Sequence, residues 1–101
     1  MKNPIPKGIK KVGRQWLRNL AKEYQLSPTE FKTAMLAAEC LDVIADCNDR
    51  VKMEGLTVTD RFGQVKSHPL LTVIRDQKAT FKNLYRQLGL DQSVEEGLRL
   101  P

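Results

Sequence analysis

Residues 55–69, Gly-Leu-Thr-Val-Thr-Asp-Arg-Phe-Gly-Gln-Val-Lys-Ser-His-Pro, are the only stretch of the chain that reads as β, and they lie between two long helical patterns. Leu56 and Val58 alternate with Thr57 and Thr59, the period of two that marks a half-buried strand. Asp60-Arg61-Phe62-Gly63 is a reversal, because Asp suits the first position of a type I turn and Gly the fourth. Val65 resumes the apolar face, and His68-Pro69 stops the second strand, since proline lacks the donor a strand needs yet fits the first turn of a helix. The chain is therefore expected to be mainly α, with three helices and a short β-hairpin over 55–67 between the second and the third.

The second helix carries the strongest local signal. Ser27-Pro28-Thr29-Glu30 combines a capping serine, a proline at the first helical position and the glutamate of a capping box. The pattern continues from Pro28 to Glu54, where Gly55 ends it. Phe31, Met35, Ala38, Leu41, Ile44, Ala45 and Val51 are joined by Ala34, Leu36, Ala37, Cys40, Val43 and Cys47, so the middle is apolar on more than one face. A lone domain of 101 residues has few elements to cover such a helix. A subunit interface over Phe31, Met35, Ala38 and Leu41 is the expectation. Glu39, Asp42, Asp46 and Asp49 form an acidic stripe on the same helix. It reads either as a solvated face partly neutralised by Arg50, or as a surface whose Asp42 and Asp46 meet cations of a neighbouring subunit.

The first helix is expected over 13–25, with Trp16, Leu17, Leu20, Ala21 and Tyr24 on one face. Arg14, Arg18 and Lys22 recur every four residues on another side. Residues 1–12 hold two prolines, a glycine and four lysines and read as a mobile basic arm. The third helix runs from Pro69 to Leu88 with Leu70, Ile74, Phe81, Leu84, Tyr85 and Leu88 on its apolar stripe, and Gly89 ends it. Residues 93–101 read as a short tail with one turn that Ser93 and Glu96 would cap.

Net charge is +5, and it is uneven. Residues 1–24 carry Lys2, Lys7, Lys10, Lys11, Arg14, Arg18 and Lys22 against Glu23 alone, so a polyanionic partner fits this end. A solvated basic surface is the plainer alternative. Lys7, Lys10, Lys11, Arg14, Arg18 and Lys22 are the candidate phosphate contacts. Gln15 and Asn19, four apart beside Arg14 and Arg18, are the candidates for base edges.

Other chemistry is missing. The single histidine, His68, precedes a proline at a helix start, where capping or packing is its ordinary role. There is no phosphate-cradling glycine loop with a lysine, no paired Cys/His spacing for zinc, and no nucleophile beside a base. No enzyme, cofactor or metal is expected. Cys40 and Cys47, seven residues apart on one helix, stand roughly 10 Å apart and cannot bridge each other. The composition suits a soluble protein of a reducing compartment, with no signal peptide and no membrane span.

Taken together, several short segments resemble the small terminase subunits of tailed bacteriophages, in particular their P27 family. They are Arg14-Gln15-Trp16-Leu17-Arg18-Asn19-Leu20, Leu26-Ser27-Pro28-Thr29-Glu30, the run from Glu54 to Val58, Lys66-Ser67-His68-Pro69 and Leu88-Gly89-Leu90, in that order over about residues 13–92. The resemblance implies a non-catalytic subunit that binds double-stranded viral DNA and presents it to the large terminase subunit, the ATPase and nuclease. It also implies assembly into a ring-shaped homo-oligomer and action in the cytoplasm of a bacterial host, as a phage or prophage protein. The acidic segment 91–96 departs from the basic stretch common at that place in the family, and the charge asymmetry of the chain puts the expected DNA contacts at the N-terminal end. A helical protein–protein adaptor of phage assembly, without direct DNA binding, is the alternative.

Overall fold

The Ser27 capping box sets the longest element. In the computed structural model Glu30 N–H donates to Ser27 Oγ at 3.1 Å, and Ser27 N–H donates to Glu30 Oε1 at 2.9 Å. From there α2 (Pro28–Glu54) runs 27 residues, about 40 Å. The described residues, 5–89, also form α1 (Lys11–Glu23), a hairpin of β1 (Thr57–Thr59) and β2 (Val65–Ser67), and α3 (Leu70–Gln87). The element order is the expected one. The tail expected over 93–101, with its turn, lies outside the described residues.

Both other helices pack on α2. Near its start, Phe31, Ala34 and Ala38 meet Leu17 and Leu20 of α1 and Tyr85 and Leu88 at the end of α3. Farther along, Ile44, Cys47 and Val51 meet Ile74, with Leu70, Leu71 and Val73 packed alongside. Trp16 reaches across to α3, its ring edge-to-face on Phe81 with centroids 5.3 Å apart. Cys40 and Cys47 are free and buried.

This arrangement covers most of what looked excessive on α2. Of the residues expected at a subunit interface, Phe31, Ala38 and Asp42 are buried within the chain, and Met35 packs against the first cluster. What α2 leaves exposed is narrower: Leu36 and Val43, seven residues apart on one face, with Met53 near its end.

Residues 5–12 also differ from a mobile arm without anchors, residues 1–4 of that expected arm lying outside the described residues. Ile9 is 3% exposed and belongs to the first cluster, and Ile5 packs against it. A turn closes before it, with Ile9 N–H donating to the Pro6 carbonyl. Isolated isoleucines among lysines and prolines carry no periodic signal, yet each removes apolar surface from water. Helix α1 begins at Lys11 rather than Gly13. It stops at Glu23, where Tyr24 turns extended and its side chain packs against the core.

The hairpin pairs Thr57 with Ser67 and Thr59 with Val65. Its turn follows expectation: Gly63 N–H donates to the Asp60 carbonyl, and Asp60 Oδ1 accepts from Phe62 N–H and Gln64 N–H. Its apolar face forms only in part. Val58 is half-buried as expected, but Leu56 is 66% exposed, and the register sets Val65, 68% exposed, opposite Thr59 and so on the other face from Leu56 and Val58; Phe62 in the turn is 78% exposed. The base of the hairpin is fixed by His68. Leu70 N–H donates to Nδ1, which places the ring proton on Nε2, and Nε2 donates to Glu54 Oε1 at 2.7 Å. His68, buried just before the N-cap Pro69, thus has one of the two ordinary roles, capping or packing, that its position suggested.

Two carboxylates here tie stability to pH. The His68 hydrogen bond, and then Arg50, hold Glu54 below its ordinary range. The backbone N–H groups of Gln64 and Phe62 do the same for Asp60. Groups depressed in the folded state add stability above their unfolded pKa and lose it as pH falls through the folded one. Thermal melts should therefore show the midpoint dropping below roughly pH 4.5. Glu54→Gln combined with Asp60→Asn should flatten that drop; an unchanged acid limb would show that other groups set it.

Candidate nucleic-acid interface

The sequence of α1 divides the helix lengthwise. Gly13, Leu17 and Leu20 are buried against α2, and the opposite side carries Lys11, Arg14, Arg18 and Lys22 at steps of three, four and four. Lys11, Arg18 and Lys22 are exposed and have no ion pair or hydrogen bond among the described residues. Lys7, exposed before the helix, is equally unpaired there. These four side chains are free to meet phosphates.

Two of the expected contacts are engaged otherwise. Lys10 Nζ lies 2.8 Å from Asp46 Oδ2. That hydrogen bond raises the Lys10 pKa above its ordinary value, so the group stays charged. Both partners are exposed, and DNA would compete with Asp46 for the same ammonium. Arg14 is half-buried. Its Nη2 donates to the Pro6 carbonyl at 2.7 Å and the Ile9 carbonyl at 3.1 Å, folding residues 6–9 back over the helix. Arg14 therefore shapes the surface more than it offers charge. Gln15 and Asn19 are exposed and touch each other, Gln15 Nε2 donating to Asn19 Oδ1 at 3.4 Å. They stand beside the cationic stripe as a pair.

What holds this surface in place was not foreseen. Asp42, 7% exposed, points from α2 into the first turn of α1. Oδ1 accepts from Gly13 N–H at 2.7 Å and Oδ2 from Lys10 N–H at 2.6 Å. The first turn of a helix has free N–H donors and a partial positive charge, and a carboxylate answers both. No side chain local to α1 caps it. Gly13 makes the approach possible, since a Cβ there would collide with the Ala38 carbonyl oxygen and lie 2.9 Å from Asp42 Oδ2. Asp42, expected to face a neighbouring subunit, instead seats α1 on α2 within the chain. The one sequence hint was a glycine in a helical pattern, a mark of close backbone approach.

No group of three or more His, Cys, Asp or Glu side chains suited to a metal ion occurs among the described residues, and none of their helices is long and apolar enough to cross a membrane. No curated protein and no solved structure matches the chain. A family model described as phage terminase, small subunit, matches residues 10–101, spanning α1, α2, the hairpin and α3. The match is to that family as a whole, and the narrower division expected from the motifs is a finer statement than it makes. On this match the chain belongs to the phage terminase small-subunit family and has a role in phage DNA packaging.

Proposed function

We propose that this protein binds double-stranded DNA through the cationic side of α1 and delivers it to the large terminase subunit, taking no catalytic part itself. The observation that carries the reading is the row of cations without a partner among the described residues, Lys11, Arg18 and Lys22, with Lys7 nearby, on a helix seated by Asp42. Each cation that replaces a condensed counterion on DNA adds about 0.9 to the slope of log affinity against log salt. Few contacts per subunit are weak, so the reading includes a homo-oligomer in the host cytoplasm, where avidity raises affinity by roughly 10² or more. Leu36 and Val43 on α2, flanked by Glu39 and Asp46, are the exposed surface suited to a second copy.

The test is DNA binding across a salt series. Lys11→Gln, Arg18→Gln and Lys22→Gln together are expected to lower the slope by about 0.9 per lost contact, with helix content unchanged. A variant that binds like the wild type would remove α1 from the interface. Light scattering decides the assembly: a mass of several subunits supports it, and a mass of 11.5 kDa contradicts it. One observation favours the adaptor reading, the exposed Leu56, Phe62 and Val65 of the hairpin, which suit a protein partner. Wild-type protein that ignores DNA but binds the large subunit would select it.

A further inference from the structure

A second cationic row lies outside the basic N-terminal end. On α3, Arg75, Lys78, Lys82 and Arg86 fall at steps of three, four and four, the same spacing as Lys11, Arg14, Arg18 and Lys22 on α1. Residues so spaced share one side of a helix. All four are exposed. Asp76 is the sole acid on α3, and it lies 3.6 Å from the neighbouring Arg75. Lys78, Lys82 and Arg86 have no ion pair or hydrogen bond among the described residues. Their charge vanishes from a coarse count because α2 sets six acids against three cations.

We propose that this side of α3 is a second surface for the phosphate backbone of double-stranded DNA. The inference rests on the DNA-binding reading of α1 and extends it. Arg75 to Arg86 spans about 16 Å of helix, and a DNA strand places one phosphate per roughly 3.4 Å of its axis, so the row matches about five successive phosphates in length. The chemistry of its surroundings selects phosphate over protein. The exposed residues between the cations are Asp76, Ala79, Thr80 and Asn83, and none of the large exposed apolar side chains among the described residues lies on α3. A protein interface depletes lysine at its core and needs apolar anchors. Phosphate contacts need neither, since they keep their water and draw on released counterions. The two helices that carry the rows both pack on α2, and Trp16 on α1 meets Phe81, the residue before Lys82, edge-to-face.

The experiment compares four full-length proteins on one duplex by fluorescence anisotropy from low to moderate salt, with mass and helix content measured on each. They are the wild type, the α1 variant (Lys11→Gln, Arg18→Gln, Lys22→Gln), the α3 variant (Lys78→Gln, Lys82→Gln, Arg86→Gln) and an α2 control (Lys32→Gln, Lys52→Gln). The α3 variant is expected to keep its mass and helix content, to lose about 0.9 of slope per contact, and to bind on the order of 10²-fold more weakly at 0.1 M salt. The α2 control is expected to follow the wild type. An α3 variant that binds like the wild type while the α1 variant fails overturns this inference and leaves the α1 reading standing. A control that weakens as much as the α3 variant also overturns it, because net charge would then be the cause. An α3 variant whose mass falls overturns it in favour of a contact between protein subunits. Wild-type protein that does not bind the duplex overturns both readings.

Discussion

Asp42→Ala is expected to lower the free energy of unfolding by about 3–5 kcal/mol, because it removes a buried carboxylate that accepts from two backbone donors. Hydrogen bonds to a charged group contribute about 1.5–3 kcal/mol each, and a buried donor left without a partner costs a further desolvation penalty. The Gly13 N–H is buried and would have no water to replace Oδ1. A domain of this size has roughly 5–15 kcal/mol in total, so the midpoint of thermal melting should fall by about 15 °C or more. Asp42→Asn keeps one acceptor oxygen and should cost about half as much. The effect should also reach the DNA, since α1 carries the free cations and Asp42 seats α1. A melting shift of only a degree or two would mean that the first turn of α1 is held by something else.

Gly13→Ala is the second large effect, and its sign is informative. Within an open helix, alanine in place of glycine stabilises by about 1 kcal/mol. Here the added Cβ would strike the Ala38 carbonyl oxygen, a backbone atom that cannot rotate aside, and crowd Asp42 Oδ2. Helix α1 must lift from α2, at a cost typical of overpacking, and a net loss of about 2 kcal/mol is expected. Gly8, where a Cβ would meet nothing within 4 Å, is the matched control and should change little. Stabilisation at both positions would show that the two helices are not in backbone contact. Because Gly13 and Asp42 serve one junction, the double variant should lose less than the sum of the two.

How much the sequence disclosed follows the distance over which each feature is built. The capping box of Ser27 and Glu30 and the turn from Asp60 to Gly63 are complete within four residues, and both appear where the residues placed them. The start of α1 was misplaced because its cap, Asp42, lies 29 residues beyond Gly13. Ile9 was missed because one apolar residue among lysines has no period to detect. Leu56 and Val58 alternate with threonines as a half-buried strand should, but alternation states only that a face is apolar, not that the same chain covers all of it or which face the partner strand's Val65 will join. At the candidate site the stripe of α1 was legible as spacing, whereas the engagement of Lys10 with Asp46 and of Arg14 with two carbonyls depends on how residues 5–10 fold back. The row on α3 has the same plain spacing, and its charge is offset in the net value by the acids of α2.

The closure at His68 separates two parts of the chain that selection can treat differently. His68 N–H donates to the Leu56 carbonyl, and its ring joins Glu54 to the start of α3, so the passage from α2 to α3 is already complete beneath the hairpin. Residues 60–64 then hang outside the packed helices, with the Asp60 side chain organising their turn from within. A lineage is free to lengthen, shorten or recode that tip, and so change what the hairpin touches, without re-fitting the helices that carry the cations. Variation among packaging proteins of different viruses should accumulate there first, and the same tip is the natural place to graft a reporter.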